Sequence, residues 1–194
     1  EYMGRTLDSD HIERFYPDER EAARRFEQVI RDFCADESIP NAWTRERRDR
    51  GHIYFLGRGV AAAIDRDFKR EPSIYVGVTV GTLNPAVVRS ASRENLLRFV
   101  LGSYERWGDP DTKTQSAFWG ANTFNRFTLL AEALQRLGCS NLRLYSDVES
   151  HQIPASYVLA FCPTNEIKLL TGIRREVTQQ DVMRGNPLLK EVPW

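Results

Sequence analysis

The chain has 194 residues, enough for one domain or a tightly joined pair, and folding at this length hides roughly 70% of the extended-chain surface, so a core can form without staples. Its 27 basic residues balance 27 acidic ones, which argues against a polyanion-binding domain driven by bulk charge, although a local groove can still be basic. No apolar run reaches the length that crosses a bilayer, and the sequence opens at Glu1 without the basic and apolar regions of a secretory signal. Cys34, Cys139 and Cys162 are odd in number and form no CxxC pair, which suits thiols in a reducing, cytoplasmic setting.

The first convincing element runs from Asp18 to Asp36. Asp18 caps the first turn, and Glu21 reaches back to it as in a capping box. Ala22, Phe26, Val29, Ile30 and Phe33 then make an apolar stripe at helical spacing, with Glu27 and Arg31 as an i,i+4 pair. Beyond Pro40, residues 41 to 50 are largely charged and read as a loop or edge ribbon. His52–Leu56 and Ile74–Val80 are dense in β-formers. Gly57-Arg58-Gly59 reads as a turn. Val60–Ile64 fits a strand or a short helix, and a strand meander is favoured because the separations are short.

Asn84-Pro85 opens a helix, with Pro85 at its first position. Ser92 is a second cap, after which Leu96, Leu97, Val100, Leu101 and Tyr104 line one face. Phe118-Trp119-Gly120 falls in a loop between helices. Phe124–Leu137 is a further helix, buried along Phe127, Leu130, Ala133, Leu134 and Leu137 and ended by Gly138 in a left-handed cap. Strand signals return at Asn141–Tyr145, Tyr157–Phe161 and Ile167–Leu170. Thr178 with Asp181 then caps a short helix to Arg184, and Gly185-Asn186-Pro187 stops it. This order predicts an α+β fold: a mixed or mainly antiparallel sheet with helices packed chiefly on one face, as one compact domain over 1–194 or two closely packed subdomains.

Two polar constellations suggest chemistry. In extended backbone, alternate side chains share a face, so Asp147, Glu149 and His151 can present oxygen and nitrogen ligands together. Zinc would need a further ligand such as His11 or His52; the same tract also reads as a solvated loop before Pro154. Alternatively, Asp147 at one strand end with Glu166-x-Lys168 on a neighbouring strand would set two carboxylates and an ammonium around Mg²⁺ and a phosphate. That arrangement resembles the active-site pattern of restriction-endonuclease-like nucleases, with Glu149 as an alternative carboxylate. The likeness covers these few residues alone, and nucleic acid is an expected partner only under it. Gly57-Arg58-Gly59 is neither a Walker motif nor a dinucleotide fingerprint.

The remaining signal is a surface for another protein. Trp119 is a candidate anchor with Arg126 closing a polar rim, and Arg47 and Arg58 stand in arginine-rich segments beside a credible core. Trp119 folded back over the helices is the bland alternative. The leading expectation is therefore a noncatalytic, intracellular protein-recognition module, an adaptor or inhibitor that needs no cofactor. A metal-dependent nuclease or phosphodiesterase using Asp147, Glu166 and Lys168 is the alternative.

Overall fold

The computed structural model describes residues 5–7, 10–15, 20–40, 43–48, 51–56, 59–60, 62–63, 71–75, 78–82, 84–107, 115–121, 124–147 and 155–194. The chain divides into two units, Tyr2–Val87 and Val88–Trp194. Among the described residues no helix is long and apolar enough to cross a membrane.

The first unit carries β1 (Arg5–Leu7), β2 (Asp10–Phe15), α1 (Arg20–Asp36), β3 (Trp43–Arg48), β4 (Gly51–Leu56), β5 (Glu71–Tyr75) and β6 (Val78–Thr82). Its strands form a sheet in the order β3-β4-β2-β1-β6-β5, every neighbour antiparallel. The expected edge ribbon over residues 41 to 50 is the edge strand β3. The β-rich run Ile74–Val80 is divided between β5 and β6, whose antiparallel register pairs Tyr75 with Val78. Residues 59, 60, 62 and 63 are helical, against the strand favoured there, because alanine suits a helix better than a pleated ladder. In α1 the buried line is Phe26, Ile30 and Cys34, whereas Val29 is 54% exposed. Glu27 and Arg31 pair at 3.3 Å. The expected cap Asp18 lies outside the described residues.

The second unit is built on a four-stranded antiparallel sheet in the order β10-β8-β9-β7, from β7 (Ala117–Ala121), β8 (Ser140–Ser146), β9 (Ser156–Cys162) and β10 (Lys190–Val192). The helices in this half are α2 (Pro85–Ser90), α3 (Arg93–Trp107), α4 (Phe124–Arg136), α5 (Asn165–Thr171) and α6 (Gln179–Gly185), and the division into units falls within α2. The fold is mixed α+β, as expected. Local caps explain most helix starts: Asn84 Oδ1 accepts from Ala86 N at 2.8 Å, and Ser92 Oγ from Asn95 N at 3.2 Å. Gly138, with φ 89°, turns the chain out of α4 into β8.

Alternation sorts the strands into two faces. On one, Phe118, Leu144, Tyr157, Leu159 and Phe161 are buried. Tyr104 of α3 meets Phe118 edge-on at 5.7 Å, and Phe127 of α4 stacks on Tyr157 at 5.5 Å. The two long helices therefore close this face. On the other face Ala117, Tyr145, Val158 and Ala160 pack with Val182 of α6 and with Leu189, while Trp119 and Val177 are partly buried against them.

Two sequence expectations change here. Phe118-Trp119-Gly120 is not loop but strand β7, since Phe118 has an aromatic bed in Tyr104 and Phe161. Ile167–Leu170 is not strand but part of α5. Thr164 caps it by accepting from Ile167 N at 3.3 Å, and Gly172, at φ 74°, closes it by donating to Lys168 O at 2.9 Å.

Candidate functional site

The short helix α6 covers less of its sheet face than two long helices cover of theirs. Its formation is local: Thr178 Oγ1 accepts from Asp181 N at 3.3 Å, and Asp181 Oδ2 accepts from Thr178 N at 3.0 Å, the reciprocal bonds of a capping box. The bonds that Thr178 donates to Asp181 Oδ2, first from its backbone N–H and then from Oγ1 at 2.8 Å, hold the Asp181 carboxyl below its ordinary range, with Arg175 adding to the effect. Before the helix, Ser116 ties the incoming chain down, donating its N–H to Arg175 O at 3.0 Å and accepting from Val177 N at its buried Oγ at 3.1 Å. After it, the chain exits the helix at Gly185 and Asn186, and Leu189 packs on the same sheet face.

Beside this exit lies a pocket of about 350 Å³ bordered by Trp119, Gly120, Ser156, Tyr157, Val158, Gly185, Asn186 and Leu189. Trp119, Val158 and Leu189 present side chains on the α6 face. Tyr157 borders the pocket although its ring is stacked on Phe127 at the opposite face. The indole edge of Trp119 is close to Gly185, where an added Cβ would meet Cη2 at 3.4 Å. Among the described residues, the buried Trp119 Nε1 meets no hydrogen-bond acceptor, an unmet donor of the kind proteins seldom leave.

Asp147 sits behind the polar side of this pocket and is 1% exposed. Oδ1 accepts from Ser156 N at 2.6 Å and Oδ2 from Asn186 Nδ2 at 3.3 Å, so one carboxylate ties the start of β9 to the C-cap of α6. Asn186 continues the knot by donating its N–H to Val182 O at 3.1 Å and accepting from Leu188 N at 3.0 Å. Asp147 and Trp119, singled out in the sequence for unrelated chemistries, thus serve one pocket: Trp119 forms a wall, and Asp147 holds two of the residues that border it.

Other sequence candidates fall elsewhere. Ser146 pairs with Tyr157 and Ser140 with Cys162, so Asp147 follows one end of the β8–β9 pair while Glu166 and Lys168 follow the other. That separation is a strand length, roughly 20 Å at about 3.3 Å per residue. Glu166 is ion-paired with Arg93, and Lys168 is exposed on α5 rather than on a strand. The structure does not bring Asp147, Glu166 and Lys168 together. Glu149 and His151 lie outside the described residues, and among those described no group of three or more His, Cys, Asp or Glu is gathered as for a metal ion. Arg126, expected at a polar rim, is in the first turn of α4 and only 4% exposed. Arg47 is on β3 opposite His52, and Arg58 lies outside the described residues.

The cysteines favour the thiol form. Cys162 donates to Glu176 Oε1 at 3.0 Å, and that bond, then burial, pushes its pKa up. Burial does the same at Cys34 and Cys139, the latter buried despite its place just after a helix end. None has the lowered pKa of an activated nucleophile.

Compared with known proteins, the chain matches no family model, no curated protein and no solved structure. Sequence reasoning missed Ser156, Gly185, Asn186 and Leu189. Gly185-Asn186-Pro187 carries a signal in the sequence, but one that by itself points only to a helix stop.

Proposed function

We propose that the chain is a noncatalytic protein-recognition module, an adaptor or inhibitor, and that the pocket beside Trp119 receives a large apolar side chain of its partner. The observation that carries this reading is a mainly apolar pocket of about 350 Å³ with Trp119 as one wall. Such pockets offer affinity through apolar burial and orientation through a few polar groups, and tryptophan is prominent among residues that dominate interface energies. A cytoplasmic setting accords with three free thiols.

Selection of a displayed random peptide library on the full chain tests it. The expected outcome is a recovered set sharing one large apolar residue. Its binding should weaken about tenfold or more in Trp119→Ala and in Gly185→Leu, which fills the pocket, with the unfolding midpoint of Gly185→Leu little changed. No enrichment, or binding undiminished in both variants, contradicts the proposal.

A further inference from the structure

The pocket beside Trp119 is bordered by the start of β9, at Ser156, and by the end of α6, at Gly185 and Asn186. The two borders are held differently. Ser156 lies in the sheet, paired with Ala121. Gly185 and Asn186 end a seven-residue helix. The backbone bonds of Asn186, to Val182 O and from Leu189 N, stay within that segment, as does the bond its Oδ1 accepts from Leu188 N. Among the described residues, the hydrogen bond that carries this end to the sheet is Asn186 Nδ2 to Asp147 Oδ2 at 3.3 Å. Asp147 is itself tied to Ser156, accepting from its N–H at Oδ1 at 2.6 Å and donating its own N–H to Ser156 O at 3.4 Å.

We infer that Asp147 is the positioning residue of the pocket, the group that fixes Gly185 and Asn186 relative to the sheet before an occupant arrives; this rests on the recognition reading above. Asp147 does not border the pocket, and at 1% exposed it offers a partner no surface. Its effect on binding therefore runs through Asn186. The role calls for a carboxylate. Two donors, the Ser156 N–H and the Asn186 amide, meet two acceptor oxygens at once, of which asparagine would supply one and alanine none. Burial keeps water from competing for both bonds. With them broken, the end of α6 rests on the packing of Val182 and Leu189, and an occupant must order a loosened wall as it binds, which costs affinity.

The probes are N-acetyl-leucinamide and N-acetyl-phenylalaninamide, titrated into the ¹⁵N-labelled full chain and followed at the Trp119 indole and Gly120 amide signals, with N-acetylglycinamide as the blank. An apolar probe should saturate in the wild type, and the blank should not. Asp147→Ala and Asn186→Ala should each raise Kd about fivefold or more. The double variant should add no more than about twofold, since both substitutions cut one chain of bonds. Asp147→Asn, with one acceptor kept, should lie between Asp147→Ala and wild type; if Asp147→Ala does not fold, Asp147→Asn and Asn186→Ala carry the comparison. Leu134→Ala, which removes a fully buried side chain from the face closed by α3 and α4, should lose at least as much stability and yet stay within about twofold of wild type in Kd. Wild-type Kd in Asp147→Ala and Asn186→Ala, with binding lost in Trp119→Ala, overturns the inference and leaves the pocket reading standing. Equal weakening in Leu134→Ala overturns it by assigning the effect to general destabilisation, and fully additive losses in the double variant overturn it by placing the two residues on separate routes. No saturable shift with either probe removes the pocket reading and the inference with it.

Discussion

The two faces of the Val88–Trp194 sheet share the same strands and differ in what covers them. One is closed by α3 and α4, and Phe118, Leu130, Leu134, Leu144 and Leu159 are each 0% exposed. The other relies on seven-residue α6 and the segment after it, and there a pocket remains beside a partly buried tryptophan. An isolated helix of that length is unstable in water, so it holds through its capping box and through Val182 rather than by propensity. Stability belongs to the closed face, and the proposed binding pocket belongs to the face covered by the shorter helix.

Substitutions at Leu134, Asp147, Thr178, Asp181 and Leu169, together with acidification, sharpen that contrast, from the largest effect to the smallest. Leu134→Ala on the closed face should lower unfolding free energy by about 2–5 kcal/mol in urea titration, since the site cannot collapse around the cavity. Asp147→Ala strands the Ser156 N–H and the Asn186 amide and should cost about 1–3 kcal/mol. Asp147→Asn, keeping one acceptor oxygen, should fall between it and wild type in the same titration.

Thr178→Ala removes the cap of α6 at about 1 kcal/mol, with faster amide exchange over Gln179–Gly185 and none of that change in α4. Acidification should act at the same place. Because Asp181 has a folded pKa below its unfolded value, its contribution is present above the unfolded value, near 3.8, and is lost as pH falls through the folded one. Loosening of α6 at low pH, followed by its amide shifts, should be weaker in Asp181→Asn. Leu169→Ser, at a position 85% exposed on α5, should change stability by no more than about 0.5 kcal/mol.

What was legible in the sequence was local. Asn84, Ser92, Gly138 and the Thr178–Asp181 box each act within a few residues, and each is found in place. Four residues at Ile167–Leu170 are too few for periodicity to separate strand from helix. Thr164 and Gly172, the bracketing caps, held the better signal. Strands β1 and β2 had no run of β-formers to mark them, and they take their place through pairing with β6 and β4. The site was less legible because its connections are long-range. Asp147 offered several chemistries as an isolated carboxylate, and its partners lie 9 and 39 residues away. The sequence around Trp119 reads as a loop, because Gly120 and Asn122 break the β-pattern, whereas Trp119 stands on strand β7 at the end of the sheet order.

Residue-resolved hydrogen exchange on the free chain tests the central contrast most directly. Interior strand β9 should be slow throughout its paired length, whereas β7 should alternate between slow amides facing β9 and fast ones facing outward. Uniform protection along Ala117–Ala121, equal to that of β9, would contradict a sheet that ends at β7.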